Sequence, residues 1–125
     1  MELIQEASNV PAAVGPYSIA AKSGGFMFCS GQIPIDPSTG KIDAADVEGQ
    51  ASQVLANIQA LLTSQHLKWT DVVKSTMFLT DMADFPKVNA LYAAAFGDHK
   101  PARSTIQVAA LPLGALVEIE VIVAC

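Results

Sequence analysis

Six of the seven basic residues are lysines and one is Arg103. That single arginine lies in Pro101-Ala102-Arg103-Ser104-Thr105-Ile106, at the mouth of a strand-like run. The run breaks at Leu111-Pro112-Leu113-Gly114 and returns as Val117-Glu118-Ile119-Glu120-Val121. A guanidinium is planar, permanently charged and offers a fixed fork of donors, which suits bidentate capture of a carboxylate. One arginine beside returning glutamates therefore reads as an anion site. The competing reading is a structural Arg–Glu ion pair at a sheet end, and spacing alone does not separate the two.

Other polar residues at strand ends could line the same cleft: Tyr17, the Ser30-Gly31 turn, Asn89, Thr105 and Glu118. Each has a purely structural alternative. Tyr17 could anchor a hairpin, Asn89 could sit exposed on its helix, and Glu118 could pair a lysine. Other chemistries find no support. His66 and His99 each flank a helix end, belong to no HxxH, HExxH or CxxC arrangement, and read as solvated surface residues, so no metal site is expected. Ser30-Gly31-Gln32 leads into Pro34 and a turn rather than a helix, which fails the context of a phosphate or dinucleotide loop. Nothing places a histidine near a serine, as a hydrolase triad requires.

The elements that must position these residues are legible from period and punctuation. Tyr17–Lys22 and Phe26–Ser30 read as strands flanking Ser23-Gly24-Gly25, a tight hairpin signal. Residues 34–43 carry the Pro, Asp, Ser and Gly of a surface turn. From Asp46 to about His66 the apolar period becomes helical, through Val47, Ala51, Val54, Leu55, Ile58, Leu61 and Leu62. Asp43 and Asp46 place acceptors at that helix start. Asp71–Thr80 reads as a strand with Val73, Ser75, Met77 and Leu79 on one side and Val72, Lys74, Thr76, Phe78 and Thr80 on the other. Asp84–Phe96 reads as a second helix, with Pro86 in its first turn and Gly97 as terminator. Residues 102–110 and 116–124 read as a closing hairpin. The expected order is hairpin, helix, strand, helix, hairpin: an α+β sandwich with two helices on one sheet face.

Composition sets outer bounds. The 125 residues suit one domain, 1–125, and are 51% hydrophobic and 15% charged, with mean hydropathy +0.37. No stretch approaches the roughly 18–20 apolar residues that span a bilayer. Two helices can cover only one face of a sheet, yet the last strand is apolar on one side and carries Glu118, Glu120, Ile122 and Ala124 on the other. The helix-free face is therefore expected to pack against partner subunits. A net charge of −5 argues against a nucleic-acid partner, which needs a basic surface. The N-terminus lacks the basic and apolar regions of a secretory signal. Cys29 and Cys125 make no disulfide framework, Cys29 reading as a buried small hydrophobe, and the expected setting is the reducing cytoplasm.

Four fragments in order resemble the Rid family, also called YjgF, whose best-studied branch is the RidA imine deaminases. They are Gly15-Pro16-Tyr17-Ser18, Phe28-Cys29-Ser30-Gly31-Gln32-Ile33-Pro34, Asp84-Phe85-Pro86-Lys87-Val88-Asn89, and Pro101-Ala102-Arg103-Ser104-Thr105 … Leu111-Pro112 … Val117-Glu118-Ile119-Glu120. The resemblance implies a chorismate-mutase-like homotrimer with a mixed sheet and clefts between neighbouring subunits. It also implies hydrolysis of 2-imino acids and enamines, such as 2-iminopropanoate and 2-iminobutanoate, to 2-oxo acids and ammonia without a cofactor. These imines are released by pyridoxal-phosphate dehydratases acting on serine or threonine. The family's carboxylate-binding arginine falls on Arg103 and its water-positioning acid on Glu118. Substrate contacts fall on Tyr17, Ser30, Gly31 and Asn89, with Thr105 beside them. The chain departs from the deaminase branch at Thr105, usually a cysteine, and at Ala110 and Leu113, where basic residues are common. Threonine keeps a polar group of similar size but loses thiol polarizability, which bears on substrate preference.

Two functions of different class share this site: an imine deaminase, and a non-catalytic trimeric binder of small 2-oxo acids. Arg103 serves both. Glu118 separates them, because a carboxylate receptor gains nothing from a second negative charge beside its ligand. A ribonuclease or translation inhibitor, a third reading attached to some relatives, fits the acidic chain least.

Overall fold

The computed structural model describes residues 1–125. Its strands are β1 (Glu2–Ile4), β2 (Ala20–Ser23), β3 (Phe26–Cys29), β4 (Val72–Leu79), β5 (Ala102–Gln107) and β6 (Val117–Ala124). The helices are α1 (Val47–Ser64) and α2 (Phe85–Phe96), with short 3-10 turns before β4 and α2 and after Leu111. One mixed sheet runs β1-β2-β3-β6-β4-β5, antiparallel except for the parallel pair β4–β5. Both helices cover the same face, as the sequence predicts.

The helices form for the reasons their sequences suggest. Val47, Ala51, Val54, Leu55, Ile58, Leu61 and Leu62 of α1 are buried, as are Val88, Tyr92 and Phe96 of α2. They close over Met27, Val72, Met77, Leu79, Val117, Ile119, Val121 and Val123 of the sheet. Asp46 is the N-cap of α1, but its side chain makes no capping bond, and Asp43 instead accepts from Thr39. Gly97 ends α2 at φ 62°, a conformation a side chain would resist. The β2–β3 turn uses Gly24 at φ 63° and Gly25 at φ 83°, the positive pair that a two-residue hairpin requires.

Four expectations are corrected. β5 and β6 do not pair as a hairpin, because β4 lies between them. The reason is burial: β6 hides every second residue completely, whereas β5 carries Arg103, Ser104, Thr105 and Gln107 and suits an edge. Along β4 the alternation is broken between Val72 and Lys74, where Val73 is an extra residue opposite β6. Val72 therefore turns into the core and Val73 outward, opposite to a strict period of two. Residues 17–19 precede β2 rather than belonging to it, and β1 was not expected. Residues 34–43 are only partly a surface turn, since Pro34 and Ile35 are buried. Asn57 of α1 donates to the Ile33 and Ile35 carbonyls and pins that segment.

The helix-free face exposes Phe26, Phe28 and Ile106 among Glu120, Lys74 and Ser104. No helix of the chain is long and apolar enough to cross a membrane.

Candidate active site

Arg103 opens β5 on the helix-covered face, in register with the buried Ser75 of β4. Its Nη1 donates to Asn89 Oδ1 at 2.8 Å. The guanidinium carbon lies 4.8 Å from the centre of the Tyr92 ring and 5.4 Å from that of Phe85. Both rings belong to α2, so the cation rests on aromatic faces that attract it. Tyr92 is itself fixed, because its hydroxyl and Ser75 Oγ share a fully buried hydrogen bond of 2.6 Å. The only ion pair in the chain joins Lys87 and Glu48 on the surface. Within its own chain Arg103 therefore pairs with no carboxylate, and Asn89 is its one side-chain hydrogen-bond partner. Thr105, two residues on, faces the same side opposite Met77.

The second group gathers around Glu118. This residue sits on β6 opposite Phe78, on the helix-free face. Ser30 and Gly31 follow β3 directly, and the Gln32–Ile119 pair exchanges two backbone hydrogen bonds of 2.9 and 3.2 Å that hold this segment against β6. Ser30 Oγ donates to the Ser18 carbonyl at 2.7 Å, tying the turn to the loop that carries Tyr17. The Tyr17 hydroxyl accepts from the Val14 amide at 3.3 Å, and its exposed ring folds beside Gly15. A side chain at Gly31 would drive its Cβ into Glu118 Oε2, so glycine is what lets the carboxylate lie against this backbone. Burial pushes the half-buried Glu118 carboxyl above its usual range, and the nearby Glu120 charge adds to the rise. Tyr17, Ser30, Gly31 and Glu118 line one cleft of about 340 Å³ together with Val14, Ile33 and Pro112.

Each anticipated residue is therefore in a cleft or beside one, but in two groups. Asn89 and Arg103, with Thr105 on the same face, form one; Tyr17, Ser30, Gly31 and Glu118 form the other. Ser75 pairs Arg103 and Phe78 pairs Glu118, and residues three apart on β4 point to opposite faces. Within one chain the guanidinium and the carboxylate are on opposite sides of the sheet. Tyr92 and Phe85 were missed by the sequence reading. Tyr92 follows Asn89 by three residues, the spacing of neighbours on one helix face, which is the signal that identifies it.

Two further readings are settled. His99 is not a solvated surface residue: its Nε2 lies 2.7 Å from the Val72 carbonyl, and since a carbonyl only accepts, Nε2 carries the proton. Cys29 is buried, and burial pushes its thiol up to about 12, which keeps it protonated and unreactive at neutral pH.

This fold and these residues coincide with known proteins along nearly the whole chain. The family described as Endoribonuclease L-PSP matches residues 7–125. A RutC family protein of Pyrococcus horikoshii is 50% identical over 114 residues, covering 91% of this chain and 90% of the relative. The 2-iminobutanoate/2-iminopropanoate deaminase of Salmonella typhimurium is 47% identical over 117 residues, covering 91% of each. Among solved structures, Escherichia coli TdcF with bound serine superimposes with a TM-score of 0.92 at 40% identity, covering 99% of both chains. The chain belongs to the Rid (YjgF, or L-PSP) family, some of whose members bear the name deaminase.

Proposed function

We propose that this protein hydrolyses 2-imino acids and their enamine tautomers, 2-iminopropanoate and 2-iminobutanoate among them, to 2-oxo acids and ammonia without a cofactor. Its site is shared between neighbouring subunits of a homotrimer. The observation that carries the reading is Glu118, a half-buried carboxylate that pairs with no cation of its own chain and lies against Gly31 in a cleft with Tyr17 and Ser30. Burial raises its affinity for a proton, which suits a general base, and a simple carboxylate receptor has no use for it. Two relatives support the substrate class: one is named for the deamination, and another was crystallised with serine, a small amino acid.

The chemistry follows from the two groups. Arg103, with Nη1 held by Asn89, takes the substrate carboxylate in its free fork and fixes the imine carbon in place. Glu118 of the neighbouring subunit accepts a proton from water as the oxygen attacks the C=N carbon, and the C=N electron pair moves to nitrogen. The proton then passes to the nitrogen of the tetrahedral carbinolamine. The carbinolamine hydroxyl then gives up its proton, which Glu118 relays to the nitrogen, and ammonia leaves as the C–N bond breaks and the C=O bond forms. One water is consumed for each ammonia released. Tyr17 and the backbone at Gly31 border the water side of this site.

Release of ammonia from 2-iminobutanoate generated in situ, with and without protein, tests the reading. Acceleration over the spontaneous reaction is expected, with loss in Glu118→Gln. The serine-bound relative gives the binder reading its own support. In that case turnover is absent from both forms while calorimetry shows 2-oxobutanoate bound.

A further inference from the structure

In the single chain, the cleft on the Arg103 side is larger than a three- or four-carbon imino acid needs. It measures about 400 Å³, within the roughly 300–1,000 Å³ of sites that hold substantially bigger ligands. Its walls run from Asn89, Tyr92 and Phe96 of α2 across Gly97 to His99, Lys100 and Arg103. Nine residues line it and none is Asp or Glu, in a chain with twelve acidic residues and a net charge of −5. Lys100 makes no ion pair, so its charge, like that of Arg103, is uncommitted. The His99 ring is fixed by the Val72 carbonyl and lies beside Phe96, with centroids 6.2 Å apart.

A concave surface to which this chain contributes two cations free of ion pairs and no carboxylate carries a positive potential. Arg103 needs only one carboxylate to be satisfied. We propose that this cleft is built for 2-imino acids whose side chain ends in a second carboxylate, with Arg103 taking the α-carboxylate and Lys100 taking the distal one. This rests on the deaminase reading above and names its substrate class. The reaction is the same hydrolysis, converting a 2-imino dicarboxylate and water to a 2-oxo dicarboxylate and ammonia. The second carboxylate takes no part in bond making and serves only recognition.

The test compares 2-iminobutanoate with 2-iminosuccinate and 2-iminoglutarate, generated by amino-acid oxidases in the presence of catalase. Acceleration is measured for the wild-type protein, Lys100→Met and Lys100→Glu. The expected result is a kcat/KM for one of the dicarboxylates at least tenfold above that for 2-iminobutanoate. That ratio should fall about tenfold in Lys100→Met, further in Lys100→Glu, and on raising the salt concentration. Turnover of 2-iminobutanoate with no dicarboxylate preference, or a preference unmoved in both Lys100 variants, overturns the proposal and leaves the deaminase reading standing. Acceleration of no imine overturns the deaminase reading itself. Calorimetry of 2-oxoglutarate against 2-oxobutanoate then decides the cleft on its own: tighter binding of the dicarboxylate that is lost in Lys100→Glu supports it, and equal binding overturns it.

Discussion

Arg103 is oriented by stacking and one hydrogen bond rather than by an opposing charge, so its shape matters as much as its sign. Arg103→Lys keeps the charge but loses the fork and the planar contact with Tyr92. A fall of about 10²-fold in kcat/KM for imine hydrolysis is expected with the oligomer intact, and activity near wild type would show that a diffuse positive potential suffices. Glu118 carries the opposite kind of demand. Its folded-state affinity for a proton exceeds the unfolded one, so the folded chain binds more protons between the ordinary carboxylate range and the raised value. Stability therefore falls as pH rises through that window, and the ionised carboxylate is a net cost above it. Glu118→Gln should melt higher than wild type near pH 7–8, with the gain vanishing toward pH 4, while turnover drops roughly 10²–10⁴-fold. A variant that melts lower at neutral pH would show that Glu118 is a structural residue.

At the scale of elements, the segment after β3 brings backbone against a carboxylate at a distance that only glycine permits. Gly31→Ala meets the end of a flexible side chain, so the fold should survive while Glu118 swings away. Circular dichroism and melting near wild type, with imine hydrolysis largely lost, are expected; unchanged activity would mean that Glu118 works from another position. Tyr92→Phe tests the platform under Arg103. It leaves Ser75 as an unpaired buried hydroxyl, which costs about 1–3 kcal/mol by chemical denaturation. The two helices were readable because their apolar stripes are long and uninterrupted. Nearness in sequence suggests a closing hairpin that does not form, and only the polar content of Arg103, Ser104 and Gln107 hints that β5 is an edge. The extra residue Val73 reverses the parity of β4 before it, and nothing local announces a bulge there. The site residues were legible one by one through their resemblance to a family. Their division between two faces was not, because it depends on the register of β4 with both of its neighbours.

For the whole molecule, the helix-free face carries Phe28 at 47% exposure among other apolar side chains, which is costly to leave in water. The proposed trimer removes that cost and supplies each Arg103 with another chain's Glu118. Light scattering should give a mass about three times 13.1 kDa at micromolar concentration. A stable monomer that still hydrolyses imines would refute a shared site, since one chain holds the two groups on opposite faces.

That separation also has a genetic consequence. If every site borrows from two chains, Arg103→Ala and Glu118→Gln are lesions in different halves, and each inactive protein retains what the other lacks. Refolded or co-expressed as an equal mixture, the two dead variants should regain activity, with roughly a quarter of sites intact under random assembly. Conversely, one chain bearing both substitutions would disable two of the three sites in a trimer with two wild-type partners and leave the site between those partners intact. Complementation between alleles, ordinarily a puzzle in a one-gene enzyme, becomes a direct readout of which face each residue occupies.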